Sequence, residues 1–219
     1  MTFRTARFGI ESNQHEKNAL EISGRIEAKS VKEYQSSELR SLALIGQRGG
    51  GKTSLADALA FLTGVNNRQG KVDEGTSISD YTAVEIDKRA SFSTAALALP
   101  WKDVKINLID TPGHPDYSGQ VITGLQAVGN ACLVIDAQNG PEAGSRAAYE
   151  IAQRYHRPIM IFINKVEKEN VNWEGVLGAI KEEYGSKVAP VNIPIGSGEN
   201  FRGIIDLLKM KSITFDSGG

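Results

Sequence analysis

Apolar positions along this chain fall into short strand-like runs separated by stretches with a spacing of three and four. Leu42–Ile45, Val104–Ile109, Ala131–Ile135 and Pro158–Ile163 read as strands. Phe92 to Trp101 reads as a further strand, turned into Val104–Ile109 by a hairpin at Lys102-Asp103. Leu55, Ala58, Leu59 and Leu62 give one apolar face of a helix that Gly64 ends. Val121, Leu125 and Val128 predict a short helix. Glu142 to Tyr155 predicts a longer one, with Ala147, Ala148, Ile151, Ala152 and Tyr155 on or near one face. Trp173, Val176, Leu177, Ile180 and Tyr184 mark a last helix closed by Gly185. Strands alternating with helices predict an α/β fold whose sheet is mostly parallel and flanked by helices. Asn66 to about Arg89 is polar with little periodicity and predicts a long loop. Residues 1–31 predict an N-terminal extension, in part helical around Glu16 to Ile26.

Composition narrows the class but not the chemistry. The 219 residues are 40% hydrophobic and 23% charged, as in a soluble globular protein. A formal net charge of −1 announces neither nucleic acid nor membrane as a partner. No apolar run approaches the length of a transmembrane helix, and the N-terminus has no apolar signal core. Cys132 is the only cysteine. It excludes an internal disulfide, points to a reducing compartment, and in its apolar run reads as a buried, inert thiol.

The chemistry begins at Gly46-Gln47-Arg48-Gly49-Gly50-Gly51-Lys52-Thr53, followed by Ser54. Its spacing, G-x-x-x-x-G-K-[ST] between a strand and a helix, is that of a phosphate-binding loop. Glycines let successive N–H groups face one concave surface, and the helix N-terminus adds its positive dipole end. Lys52 can then reach a β/γ-phosphate, and the Thr53 hydroxyl can bind Mg²⁺. The long loop that follows this helix reads as nucleotide-sensing.

Two further strings end strands. Asp110-Thr111-Pro112-Gly113 lies where ligands bind in open α/β sheets. An aspartate there can hold Mg²⁺ through water, and Gly113 can bring a backbone N–H close to a γ-phosphate. Asn164-Lys165-Val166-Glu167 combines an amide, a cation and a carboxylate able to accept two N–H bonds from guanine. His114 could orient water beside a γ-phosphate; a surface histidine is its plainer reading, and His15 and His156 keep that reading.

Together these strings make the chain resemble the G domain of a translational GTPase, most like elongation factor G and its paralogues. Val134-Ile135-Asp136-Ala137, Ile193-Pro194-Ile195-Gly196 and Phe201–Asp206 extend the similarity, which runs from about Glu33 to the end. The resemblance implies a P-loop NTPase fold, with residues 32–185 as the GTP-binding domain and 186–219 as the start of a subdomain inserted in it. It implies GTP or GDP with Mg²⁺, held by Gly46 to Ser54, Asp110, Gly113, Asn164, Lys165 and Glu167. His114 would position the attacking water, with Lys52 and Gly113 serving the γ-phosphate. It also implies a cytoplasmic GTP hydrolase that meets the ribosome, and is stimulated by it, through the parent protein, a monomer with no sequence-specific nucleic-acid contact of its own.

Departures from the family pattern qualify this picture. Glu167 stands where the family has aspartate, and Gly49 where many relatives carry an acidic residue. The family's magnesium-binding threonine falls at Ser91 when the strings are matched position by position, and at Phe92 if they slip by one. The family's closing Ser-Ala string, last strand and last helix are not found after Phe215, so the fold is expected to be truncated before them and to expose apolar surface. Besides the GTPase, a nucleotide-binding regulatory module with little hydrolysis and an ATPase of the same fold fit these observations.

Overall fold

The computed structural model describes residues 32–215; the extension expected at 1–31, with its helical tract, lies outside the described residues. From Gln35 onward the described residues form one compact unit. The main sheet has five strands in the order β2-β3-β1-β4-β5. These are β1 (Leu39–Ile45), β2 (Ala95–Trp101), β3 (Val104–Asp110), β4 (Asn130–Asp136) and β5 (Ile159–Asn164). β1 pairs in parallel with β3 and β4, and β4 with β5, while β2 turns back antiparallel on β3. Chain direction across the sheet reverses on either side of β1, so a crevice opens at its carboxyl end.

Period-two alternation sorts the strands' side chains onto two faces. Ala43, Ile45, Leu133 and Ile135 face α3 (Ser118–Gln126), α4 (Ala143–Arg154) and α5 (Trp173–Tyr184), meeting Val121, Leu125, Ala148, Ala152, Val176 and Ile180. Leu44, Leu108, Cys132 and Val134 face the other way, against Ala56 and Ala60 of α1 (Lys52–Leu62) and Leu99 of β2. Helices thus cover both faces of a mostly parallel sheet. Cys132 is buried there, and loss of solvent pushes its thiol up to about 12, an inert group. Among the described residues no helix is long and apolar enough to cross a membrane.

Three expectations need correction. The buried stripe of α1 runs through Lys52, Ala56 and Ala60, with Leu55 and Leu59 only half-buried and Leu62 65% exposed. The inward Lys52 sets the phase of the helix, and small residues four apart let it lie close to the sheet. The stretch Asn66–Arg89 is not structureless. It holds a 3₁₀ turn at Val72–Glu74 and the short helix α2 (Ala83–Lys88), capped by the reciprocal Thr82–Glu85 box. Finally, β2 begins at Ala95 rather than Phe92. The N–H groups of Phe92 and Ser93 are drawn to Glu85 Oε1, and that of Thr94 to Gln120 Oε1.

β5 lies at the edge of the sheet, leaving Met160 52% and Phe162 37% exposed. A second, antiparallel sheet follows, with β7 (Gly203–Asp206) between β6 (Asn192–Ile195) and β8 (Lys211–Thr214).

Candidate functional site

The loop Gly46–Thr53 leaves β1 at the crevice. Gly49 (φ +80°) and Gly51 (φ +95°) take left-handed backbone, with Gly51 as the N-cap of α1. Four contacts brace the loop. Arg48 N donates to Gly113 O at 3.1 Å, and Asn164 Nδ2 to Gly50 O at 3.0 Å. Gly144 N donates to Gln47 Oε1 at 2.8 Å, and Lys165 Nζ to Gly49 O at 2.8 Å. The three sequence strings therefore meet at one loop.

Lys52 is only 5% exposed, and its ammonium donates to Gly46 O at 3.1 Å and Gln47 O at 2.9 Å. Burial pulls its pKa down to about 8, against an upward pull from Asp110. Nothing larger than hydrogen fits at Gly113, where a Cβ would strike Lys52 Nζ and the Arg48 backbone.

An oxygen-lined corner lies beside it. Thr53 Oγ1 donates to Asp110 Oδ2 at 2.8 Å and stands 3.1 Å from Ser91 Oγ. Asp110 is buried, and its Oδ1 has no well-formed hydrogen bond among the described residues. Burial, with the nearby Asp80 charge, raises its pKa to about 6, against pulls from Thr53 and Lys52. Asp80 is 4% exposed, and neither carboxylate oxygen has a well-formed hydrogen bond among the described residues. Its pKa is raised first by burial, against a pull down from the Ser91 hydroxyl, and further by the Glu85 and Asp57 charges. Unpaired buried carboxylate oxygens are costly. A hard divalent cation, which takes oxygen ligands, fits the Thr53, Ser91 and Asp110 donors and would satisfy them.

Arg48, Thr53, Ser91, Gly113, His114 and Lys165 all line one cavity of about 650 Å³. His114 caps a 3₁₀ turn, its Nδ1 accepting from Asp116 N at 3.3 Å, with the Tyr117 ring beside it. Ser54 is exposed at the start of α1. Glu167 is exposed and makes no side-chain hydrogen bond among the described residues. Beyond the end of β5, Lys165 takes left-handed backbone (φ +62°) and pairs with Asp136 Oδ2 at 2.6 Å.

Three of these residues escape a reading by motif: Asp80, Glu85 and Asp136. Asp80 lies in the stretch read as a loop and carries no spacing signal. Glu85 was marked by the Thr82-x-x-Glu85 capping pattern. Asp136 was visible as the polar end of an apolar run and within Val134-Ile135-Asp136-Ala137, with no site role attached to it.

Fold and site together define a phosphate-loop nucleotide-binding domain. The model of the elongation factor Tu GTP binding domain matches residues 37–215. The chain belongs to that family, the G domains of translational GTPases. An elongation factor G-like protein of Thermotoga maritima is 39% identical over 178 residues, covering 81% of this chain and 25% of that protein. Elongation factor G of Gluconobacter oxydans is 33% identical over 193 residues, covering 87% of this chain and 28% of that protein. A crystal structure of a Thermus thermophilus protein matches with a TM-score of 0.79 and 29% identity, over 84% of this chain and 27% of that one. The chain thus spans about a quarter of the length of the curated relatives it matches.

Proposed function

We propose that the chain binds GTP with Mg²⁺ and hydrolyses it as the switch domain of an elongation factor G-like translation factor acting on the ribosome. The observation that carries this reading is the meeting, at one cavity, of Lys52, Thr53, Ser91, Gly113 and His114, with Asp110 bonded to Thr53 from behind the wall. Backbone N–H groups from Gly46 to Ser54 cradle the phosphates, and Lys52 neutralises the β and γ groups. Thr53, Ser91 and Asp110 would hold Mg²⁺. A bound Mg²⁺ supplies further charge neutralisation on the phosphates. Gly113 offers its N–H to the γ-phosphate, and His114 orients water for in-line attack on the γ-phosphorus. The bond to the bridging oxygen breaks, leaving GDP and inorganic phosphate. Asn164, Lys165 and Glu167 form the guanine side. In this reading residues 32–185 are the GTP-binding domain and 186–219 open an inserted subdomain. The protein works as a cytoplasmic monomer, without sequence-specific nucleic-acid contacts.

Titration of the 219-residue chain with fluorescent mant-GTP and mant-ATP, in Mg²⁺, tests the binding half. Weak GTP binding that still exceeds ATP binding is expected; equal affinities would overturn the guanine assignment. Single-turnover release of γ-phosphate, raised by added ribosomes, tests the hydrolytic half. A second reading, a nucleotide-binding regulatory module with little hydrolysis, draws on the engagement of His114 Nδ1 by Asp116 N–H and on the exposed Glu167. GTP binding with no release under either condition would favour it.

A further inference from the structure

We infer that Glu85 is a positioning residue for the metal corner, its buried carboxylate fixing the loop that sets the Ser91 hydroxyl against Thr53. The inference rests on the reading above in which Ser91 holds Mg²⁺.

Glu85 is 1% exposed, and each of its carboxylate oxygens has a separate task. Oε2 accepts from Thr82 Oγ1 at 2.7 Å and Thr82 N at 3.3 Å, which completes the cap of α2. Oε1 accepts from Phe92 N and Ser93 N, both at 3.0 Å. The cap needs only the first pair. The second reaches seven and eight residues ahead, to the amides that follow Ser91. The peptide on the other side is held by the same residue, since Ala90 N donates to Glu85 O at 3.2 Å.

Ser91 is therefore gripped from both flanks by Glu85, just after the left-handed turn at Arg89 (φ +49°). Its hydroxyl comes to rest 3.1 Å from Thr53 Oγ1, which in turn donates to Asp110. Four donors hold the Glu85 carboxylate in place. Without Oε1, the Phe92 and Ser93 amides lose their acceptor, and Ser91 is free to swing from the corner. Outer partners of this kind orient the groups that touch a metal.

The test reads the Mg²⁺ concentration at which the 219-residue chain half-retains mant-GTP. Glu85→Ala and Ser91→Ala are each expected to raise that midpoint about ten- to a hundredfold. The double variant should be no worse than Ser91→Ala, because both act through one hydroxyl. Glu85→Gln keeps a carbonyl oxygen for Phe92 and Ser93 and turns its NH₂ to the Thr82 hydroxyl, so it should restore the midpoint. Thr82→Ala weakens the cap and lowers the melting temperature but leaves Oε1 its two amides, so it should shift the midpoint far less than Glu85→Ala. Glu85→Met, of similar volume but without acceptors, replaces Glu85→Ala if the latter does not fold. A midpoint shifted by Ser91→Ala but not by Glu85→Ala or Glu85→Met overturns the inference and leaves the Ser91 reading standing. No shift with Ser91→Ala overturns that reading and the inference with it. A Thr82→Ala shift as large as that of Glu85→Ala also overturns the inference, because the helix cap alone would then explain the effect.

Discussion

The Lys165 ammonium closes on the Asp136 carboxylate at 2.6 Å and on the Gly49 carbonyl at 2.8 Å, tying two strand ends to the phosphate loop. Asp136 is buried and takes Gln138 N on its other oxygen. It stands level with Asn164 across the β4–β5 ladder, so Lys165 follows immediately beside it. Asp136→Asn removes the charge that holds Lys165. The expected cost is about 1.5–3 kcal/mol in unfolding free energy, the worth of a hydrogen bond to a charged group. Faster mant-nucleotide release should accompany it as the loop loosens. Urea unfolding and stopped-flow release would check both, and unchanged release would show that the pair does not brace the loop.

Gly113→Ala should damage the phosphate side without touching the base side. A Cβ at this position would meet Lys52 Nζ, and would lie 2.6 Å from Arg48 N and 2.8 Å from Arg48 Cα. The lysine tip can yield, but the loop backbone cannot do so without moving the phosphate cradle. Overpacking of this kind costs about 1–3 kcal/mol. Affinity for GTP should fall while preference for guanine over adenine persists. Thermal melting and competition binding would measure the two effects, and wild-type GTP affinity would contradict the argument.

The strands and the phosphate loop were legible because their signals are local. Leu42–Ile45 and Ala131–Ile135 are apolar runs, and Gly46–Thr53 has fixed spacing. The stretch 66–89 was not, because α2 has six residues, too few for an apolar period to show. What organises that stretch is buried and polar. Asp57 holds Ile78 N at 2.8 Å, and Glu85 holds Phe92 and Ser93. Buried carboxylates look like solvated charge until their donors are known. The stripe of α1 was misplaced for a related reason. A lysine ordinarily marks the wet face, yet Lys52 points inward with Ala56 and Ala60. The pairing of Asp136 with Lys165 depends on β4 and β5 being neighbours in register, which no single-strand pattern reveals.

His114→Ala separates chemistry from binding. The imidazole lies at the cavity wall beside Tyr117, bonded through Nδ1 to the Asp116 amide. With Nδ1 turned to Asp116, Nε2 is the ring nitrogen left to meet water. Loss of a positioned group of this kind costs about 10²–10⁴ in rate. Single-turnover phosphate release with ribosomes should fall by that order, with GTP affinity and melting temperature unchanged. An undiminished rate would remove His114 from the mechanism.

The two buried charges predict an unusual pH profile for the nucleotide-free domain. Lys52 titrates at about 8 in the folded chain, against an ordinary 10.5, because burial penalises its charged form. Between those values the unfolded chain binds a proton that the folded site has lost. Stability therefore rises as pH rises from about 8 towards 10.5, by about 3 kcal/mol at the ordinary worth of a pKa unit. Asp110 runs the other way. Its pKa is lifted from 3.8 to about 6, so between them the folded site keeps a proton that the unfolded chain has shed, and stability falls as pH rises through that window. The free domain carries both penalties between about pH 6 and 8. Phosphate oxygens beside Lys52 restore its pKa, so nucleotide binding should take up a proton above about pH 8, and affinity should fall with rising pH there. Calorimetry in buffers of different ionisation enthalpy reads that proton directly. Lys52→Met should abolish both the uptake and the alkaline gain in stability. An uptake that persists in Lys52→Met would assign the titration to another group.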